Sequence, residues 1–313
     1  MTTTMKMIDL FAGTGAFTKA FQATGKVECV FANDMSPQAK ACYDAQAYGH
    51  ALTLGDLNAI KLEDIPAHDI LCGGFPCQPF SVAGKQEGFN DPRSNVFHKI
   101  LEIVDFRKPS ILVLENVKNL VTHDDSKTFS TIKTMLTSRG YHVKFKVLNT
   151  AKITGVPQNR ERIYIVGFKS KEKCDAFSLD FDLVPKVTVE SLLEPVVPAK
   201  YYYTAKTTVW PVLVEGVTKK NTVYQCRRSY VRENKSGECP TLTANMGTGG
   251  NNVPIVKDSK GIRKLTPREC FRFQGFDDGY VLPNLANSHL YKLAGNAVSL
   301  PVVKLIADRL MRD

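Results

Sequence analysis

The sequence predicts an α/β protein with a doubly wound, mostly parallel sheet and a second, smaller β-rich domain. Three observations carry this. Apolar runs of strand length alternate with helix-length segments over roughly the first half of the chain. That alternation stops near Phe168, and residues 186–260 are rich in Val, Thr and Tyr with Gly and Pro punctuation. The C-terminal segment then returns to helical spacing. Repeated βα units imply parallel strands with helices on both faces, and short, punctuated strands imply a separate β-rich region.

In order, "MKMIDLFAG" reads as a strand and "GAFTKAFQATG" as a helix closed by Gly25. "VECVFAND" is a strand. "SPQAKACYDAQAYG" is a helix with Ser36 as N-cap, Pro37 in its first turn and Gly49 after its end. "HDILCGGF" is a strand and "RSNVFHKILEIVDF" a helix. "PSILVLENV" is a strand, and "SKTFSTIKTMLTSRG" is a helix ended by Gly140. "YHVKFKVLN" and "RIYIVGF" are two further strands. At the end, Val302, Val303, Ile306 and Leu310 make one apolar helical stripe, expected to pack back onto the first domain. The domain reading is therefore 1–185, completed by 290–313, with 186–289 as the second domain.

At 313 residues, 43% hydrophobic and 23% charged, the chain suits a globular protein of two domains. No apolar run approaches the ~20 residues of a membrane helix, and "MTTTMKMIDLFAG" does not read as a signal peptide. No membrane association and a cytoplasmic location are expected. The eight cysteines form no CxxC pair, so no metal is expected, and most fall in apolar patterns as buried free thiols. Formal net charge is +10, which favours a polyanionic partner but equally fits a merely basic protein.

The stretch "GFPCQPFS" fixes Cys77 on a stiff loop after a buried strand, because prolines 76 and 79 continue neither strand nor helix. Ligands of open α/β sheets bind outside such strand ends. "DLFAGTGAF" puts Gly13 and Gly15 after the first strand, a turn that resembles a dinucleotide fingerprint with Thr18 in place of its third glycine. A tight turn explains those glycines equally well. Asp34, at the tip of the second strand, suits ribose hydroxyls, and Asp56 in "LGDL" suits an adenine edge. A nucleoside ligand without phosphates fits this pattern, and S-adenosylmethionine is one.

Six motifs follow in order: "DLFAGTGAF", "GFPCQPFS", "ENV", "QNRERIY", "RKLTPRECFRFQGF" and "AGNAV". Together they resemble the DNA (cytosine-5) methyltransferases, especially the compact bacterial and phage modification enzymes, over nearly the whole chain. The resemblance implies the Rossmann-like S-adenosylmethionine-dependent fold with a target-recognition domain. It implies a specific duplex DNA substrate, a flipped cytosine and a covalent bond from Cys77 to C6. A thiolate is needed for that addition. Glu115 matches the residue that protonates N3, for which a raised pKa is expected. Arg162 matches the catalytic cluster. Alternate residues of a strand share a face, so Arg160 is placed with the catalytic residues too, an outward surface arginine being the alternative for either and a stronger one for Arg160.

The resemblance further assigns Phe11, Gly13, Gly15, Asp34, Met35, Asp56, Pro76 and Asn296 to the cofactor. It assigns Gln78, Ser81, Thr241 and Leu242 to DNA, and the positive charge of "CRRSYVRENK" adds Arg227 and Arg228 as DNA contacts. The segment "VAGKQEGFNDPRSN" resembles a loop that closes over DNA. A monomer is expected, with a cognate restriction endonuclease acting on the same site. No separate regulatory domain is expected, since nothing precedes the first motif. The rival within the family is a tRNA cytosine-5 methyltransferase. "FPCQPFS" and the long basic segment favour DNA.

Overall fold

The computed structural model describes residues 4–76, 95–227, 229–249 and 252–312. Cys77, Gln78, Ser81, Arg228 and most of the segment resembling a closing loop lie outside the described residues. Two compact units emerge. Unit 1 comprises Met1–Leu148, Glu161–Phe181 and Val302–Asp313. Unit 2 comprises Asn149–Arg160 and Asp182–Pro301.

The strands β1 (Met5–Leu10), β2 (Val27–Asp34), β3 (Thr53–Leu54), β4 (Ile70–Gly74) and β5 (Ile111–Val117) alternate with the helices α1 (Ala16–Gln22), α2 (Pro37–Asp44) and α3 (Asn95–Arg107). After them come α4 (Lys127–Thr137), β6 (His142–Asn149), α5 (Thr150–Thr154), β7 (Gln158–Asn159), β8 (Glu161–Phe168) and α6 (Lys171–Ala176). A seven-stranded sheet forms in the order β3-β2-β1-β4-β5-β8-β6. β1 pairs parallel with both β2 and β4, and β4 with β5, while β8 runs antiparallel to β5. The sheet is thus mostly parallel.

The strand order reverses between β1 and β4, which opens a crevice outside their C-terminal ends. Burial explains the apolar runs: Ile70, Leu71 and Cys72 of β4 and Ile111 through Leu114 of β5 are all buried. Phe97, Ile100, Leu101 and Val104 form the inward stripe of α3, and Phe129, Ile132 and Leu136 that of α4. Each such side chain contributes about 1.5–3 kcal/mol of transfer free energy. Ser36 caps α2 by accepting from the Ala39 N–H at 3.2 Å. The helix α10 (Leu300–Leu310) buries Val302, Val303 and Ile306, and Arg309 beyond them donates to the carbonyls of Ser178 and Asp180 at 2.9 and 2.6 Å.

Unit 2 holds α7 (Trp210–Gly216), β9 (Tyr224–Cys226), β10 (Val231–Glu233), β11 (Cys239–Pro240), β12 (Ile255–Lys257), β13 (Ile262–Lys264), α8 (Pro267–Phe273) and α9 (Asn287–Asn296). Its four-stranded sheet has the order β10-β9-β12-β13 and packs on Leu213, Val217, Tyr224, Ile255 and Ile262. The motif "RKLTPREC" builds a buried ion cluster. Arg263, 1% exposed, donates to Asp258 at 2.7 Å and to both Glu269 oxygens at 2.8 Å. Thr266 and Glu269 form the capping box that starts α8.

This division differs from the boundaries read in sequence. Residues 149–160 belong to unit 2 because β7 pairs with β11, and Gln158 bonds to the Phe273 carbonyl and the Gln274 side chain at 2.5 and 3.1 Å. α9 also belongs to unit 2, so unit 1 regains the chain only at Val302. Among the described residues, no single helix is long and apolar enough to cross a membrane.

Candidate active site

The crevice between β1 and β4 is edged by a tight turn. Phe11, Gly13 and Gly15 all adopt positive φ, at 56°, 53° and 73°. The Gly13 N–H reaches the Asp34 carboxylate at 3.0 Å, and the Ser36 N–H reaches its other oxygen at 2.9 Å. Asp34 thereby ties the tip of β2 to the turn after β1. Burial pushes its carboxyl above the ordinary range, against the pull of the Ser36, Gly13 and Met35 N–H groups. A carboxylate has about four lone-pair sites, so with three N–H groups on it Asp34 keeps about one acceptor for a ligand hydroxyl.

The two glycines differ. A Cβ on Gly13 would meet nothing closer than 3.8 Å, so only its backbone angle demands glycine. A Cβ on Gly15 would sit 2.7 Å from the Tyr48 ring and 3.0 Å from the Tyr43 ring. Gly15 therefore serves ring packing beneath the turn as well as the turn itself. Thr18, in the place of the third glycine, is buried and donates its N–H and hydroxyl to one oxygen of Asp9, at 3.1 and 2.8 Å. Asp9 is fully buried in β1, and that burial lifts its carboxyl to about 7. Asp9 was missed in sequence; its signal was a carboxylate inside the apolar run "MIDLF".

Met35 is 73% exposed at the tip of β2, and Leu54, paired with Asp34, is 46% exposed on β3. Leu54 is a second residue that the sequence reading passed over. Asp56 caps the turn Leu57–Ala59 through the Asn58 N–H at 3.0 Å and is exposed.

At the far side of the crevice, Glu115 pairs in register with Gly74, three residues before Cys77. Glu115 is buried, and Arg162 Nε lies 3.2 Å from its Oε1. Both come from the antiparallel pair β5–β8, where Val117 faces Arg162. The Asn116 amide donates to the Phe75 carbonyl at 3.0 Å and fixes the strand end that leads through exposed Pro76 to Cys77. Unit 1 thus brings Glu115 and Arg162 together beside that lead-in.

Arg160 does not join them. It lies between β7 and β8, so the alternation that would put two arginines on one face breaks there. Its guanidinium is buried in unit 2 and donates to the carbonyls of Leu242, Gly295 and Ala297, at 3.0, 3.3 and 2.7 Å. Leu242 is 1% exposed, and its N–H is taken by Gln158, which leaves no side chain to present to DNA. The Thr241 hydroxyl donates to the Asn159 carbonyl at 2.6 Å. Asn296 is exposed at the end of α9, while Gly295 beside it admits no side chain, since a Cβ would lie 2.2 Å from the Thr243 backbone. Arg227 is exposed.

The described cysteines are free, and all but Cys226 are buried. Burial pushes the thiols of Cys72, Cys239 and Cys270 well up and that of Cys29 to about 12. Such thiols are poor nucleophiles.

Residues 5–312 match the model of the C-5 cytosine-specific DNA methylases. The chain belongs to that family. The Type II methyltransferase M.Bsp6I of a Bacillus species is 46% identical over 313 residues, covering 99% of each chain. M1.ScrFI of Lactococcus lactis subsp. cremoris is 40% identical over 98% of this chain and 78% of its own. The fold is shared with Spodoptera frugiperda DNMT2, at a TM-score of 0.78 and 20% identity over 99% and 100% of the two chains. It is also shared with S. pombe Dnmt2, at 0.76 and 20% over 97% of each. As a DNA cytosine-5 methyltransferase, the chain has its Glu115–Arg162 pair and its Asp34-clamped turn at the two sides of one sheet crevice.

Proposed function

We propose that this methyltransferase moves a methyl group from S-adenosylmethionine to C5 of one cytosine in a specific duplex DNA sequence, through base flipping and a bond between Cys77 and C6. The observation that carries the reading is the 3.2 Å contact between half-buried Arg162 and buried Glu115, on a strand in register with Gly74 and so beside the approach to Cys77.

The crevice suits the cofactor's chemistry. Asp34 and Asp56 offer acceptors to hydroxyl and amino groups, Met35 and Leu54 offer apolar surface to a flat base, and the bare Gly13 backbone admits close approach. Phe11 and Pro76 edge the same crevice at the ends of β1 and β4. When bound, S-adenosylmethionine supplies an electrophilic methyl group.

The chain's own residues prepare the base. Cytosine C5 is a weak nucleophile until a thiolate adds at C6. Cys77 makes that bond while Glu115 gives a proton to N3, so the added charge is neutralised rather than spread over the ring. Arg162 holds the Glu115 carboxyl in place. After C5 has taken the methyl group, a water molecule takes the C5 proton, Cys77 leaves as thiolate, and N3 returns its proton to Glu115, which restores the aromatic ring. Flipping costs a few kcal/mol, which contacts between basic residues and phosphates offset. The enzyme acts as a cytoplasmic monomer, paired with an endonuclease for the same sequence.

Duplex DNA with 5-fluorocytosine at the target tests this, because fluorine does not leave as a cation and elimination stops. With S-adenosylmethionine present, a DNA–protein band should survive denaturing electrophoresis, with the bond mapped to Cys77. A bond on any other cysteine, or no band on a site mapped by bisulfite sequencing, overturns the mechanism. Labelling of tRNA in place of duplex DNA overturns the substrate.

A further inference from the structure

Unit 2 ends its sheet in a two-stranded ribbon whose two faces differ. β10 is the edge strand and pairs antiparallel with β9, with Val231 opposite Cys226 and Arg232 opposite Gln225. The register extends to the tip, where the Arg227 N–H bonds to the Tyr230 carbonyl at 2.8 Å. Side chains alternate along a strand. Tyr224, Cys226 and Val231 therefore face inward to the core with Leu213 and Val217. Packing there is tight: a Cβ on Gly216 of α7 would lie 2.6 Å from Val231. Glu233, also on that face, is held by Lys219 at 3.1 Å.

Gln225, Arg227, Tyr230 and Arg232 fall on the other face. Arg227 and Arg232 are exposed, Tyr230 is 57% exposed, and Gln225 is half-buried. The Arg227 guanidinium reaches the Gln225 amide oxygen at 3.3 Å, which confirms that the two share a face. The face carries two guanidiniums, an amide and a phenol, and its acidic neighbour Glu233 is turned away. A surface meant only for solvation has no reason to keep a large aromatic ring exposed beside two arginines. Arginine pairs bidentately with the guanine O6 and N7 edge and glutamine with the adenine N6 and N7 edge, and a two-stranded ribbon fits a major groove about 12 Å wide.

We infer that this ribbon face, formed by Gln225, Arg227, Tyr230 and Arg232, enters the major groove of duplex DNA and reads base edges of the recognition sequence. The inference rests on the proposed function and names the residues that set its specificity. Charge complementarity supports the occupant: the face is cationic, and the chain carries a net +10.

The test uses the full-length enzyme and the target mapped for wild type by bisulfite sequencing. Methyl transfer is measured on that duplex and on every single-base variant of it. The variants are Arg232→Ala, Arg232→Lys, Gln225→Ala and Tyr230→Ala, with Lys260→Ala, an exposed cation on the β12–β13 turn, as control. Variants with the wild-type unfolding midpoint are compared. Arg232→Ala and Gln225→Ala should each lose discrimination by roughly 5- to 150-fold at one or two base positions and keep it elsewhere. Arg232→Lys should lose it too, because it keeps the charge and not the fork. Lys260→Ala should keep the wild-type pattern. If ribbon variants weaken all sequences uniformly, the face contacts phosphates and the inference is overturned. An unchanged pattern in all four ribbon variants overturns it as well. A wild type that methylates no cytosine in duplex DNA sinks the functional reading itself, and the ribbon falls with it.

Discussion

Replacing Arg160 by alanine separates a structural arginine from a catalytic one. In the structure its two terminal nitrogens serve three carbonyls, from Leu242, Gly295 and Ala297, at 2.7–3.3 Å in a buried setting. A hydrogen bond to a charged group contributes about 1.5–3 kcal/mol, and truncation also strands buried acceptors. The three share one donor group and are not additive, so the expected loss is about 3–5 kcal/mol. Against a total stability of about 5–15 kcal/mol, that is enough to loosen unit 2 at moderate denaturant. Urea unfolding and amide hydrogen exchange measure it. Protection should fall first in 239–247 and 287–297. Arg160→Lys should recover only part, since one ammonium does not span three carbonyls in a fork. Methyl transfer per folded molecule should stay close to wild type at low temperature. If Arg160→Ala keeps its stability within about 0.5 kcal/mol yet loses turnover as Arg162→Ala does, the structural assignment is refuted.

Three further outcomes are expected. Glu115→Gln should lower turnover by about 10²–10⁴-fold with little change in DNA or cofactor affinity, measured by single-turnover kinetics and equilibrium binding; a drop below about tenfold would leave Glu115 a structural role only. Gly295→Ala should destabilise unit 2, because its Cβ would lie 2.2 Å from the Thr243 backbone; an unchanged unfolding midpoint would contradict that packing. Asp9 holds its proton to about 7 in the folded state and to about 3.8 when unfolded. Its contribution is therefore complete below about 3.8 and is lost as pH rises to about 7, so wild type should lose stability between about pH 4 and 7. Asp9→Asn should flatten that slope, and an equal slope in both proteins would show that Asp9 does not titrate there.

The parallel half of the fold was legible because strands buried on both faces write themselves as unbroken apolar runs, as in "ILVLENV". The cap at Ser36 was legible from residue type alone. The place of β8 between β5 and β6 was not, because strand order depends on pairings between distant residues. Glu115 and Arg162 stood in their motifs and do meet. Arg160 misled because two-residue alternation holds only within one strand, and the chain breaks from β7 to β8 at that residue. Leu242 misled because a motif match says nothing of burial; its backbone is what unit 2 uses. Thr18 read as a missing glycine, whereas its hydroxyl holds Asp9.

The excursion at 149–160 bears on how unit 2 could be grafted from one chain to another. A chimaera cut only at 182 and 301 would import a foreign segment and keep the host's Gln158 and Arg160. Those two side chains grip Phe273, Gln274, Leu242, Gly295 and Ala297, so the graft would arrive without its own fasteners. Unit 2 is therefore one block built from two linked pieces, and a graft should keep its fold only when residues 149–160 travel with 182–301.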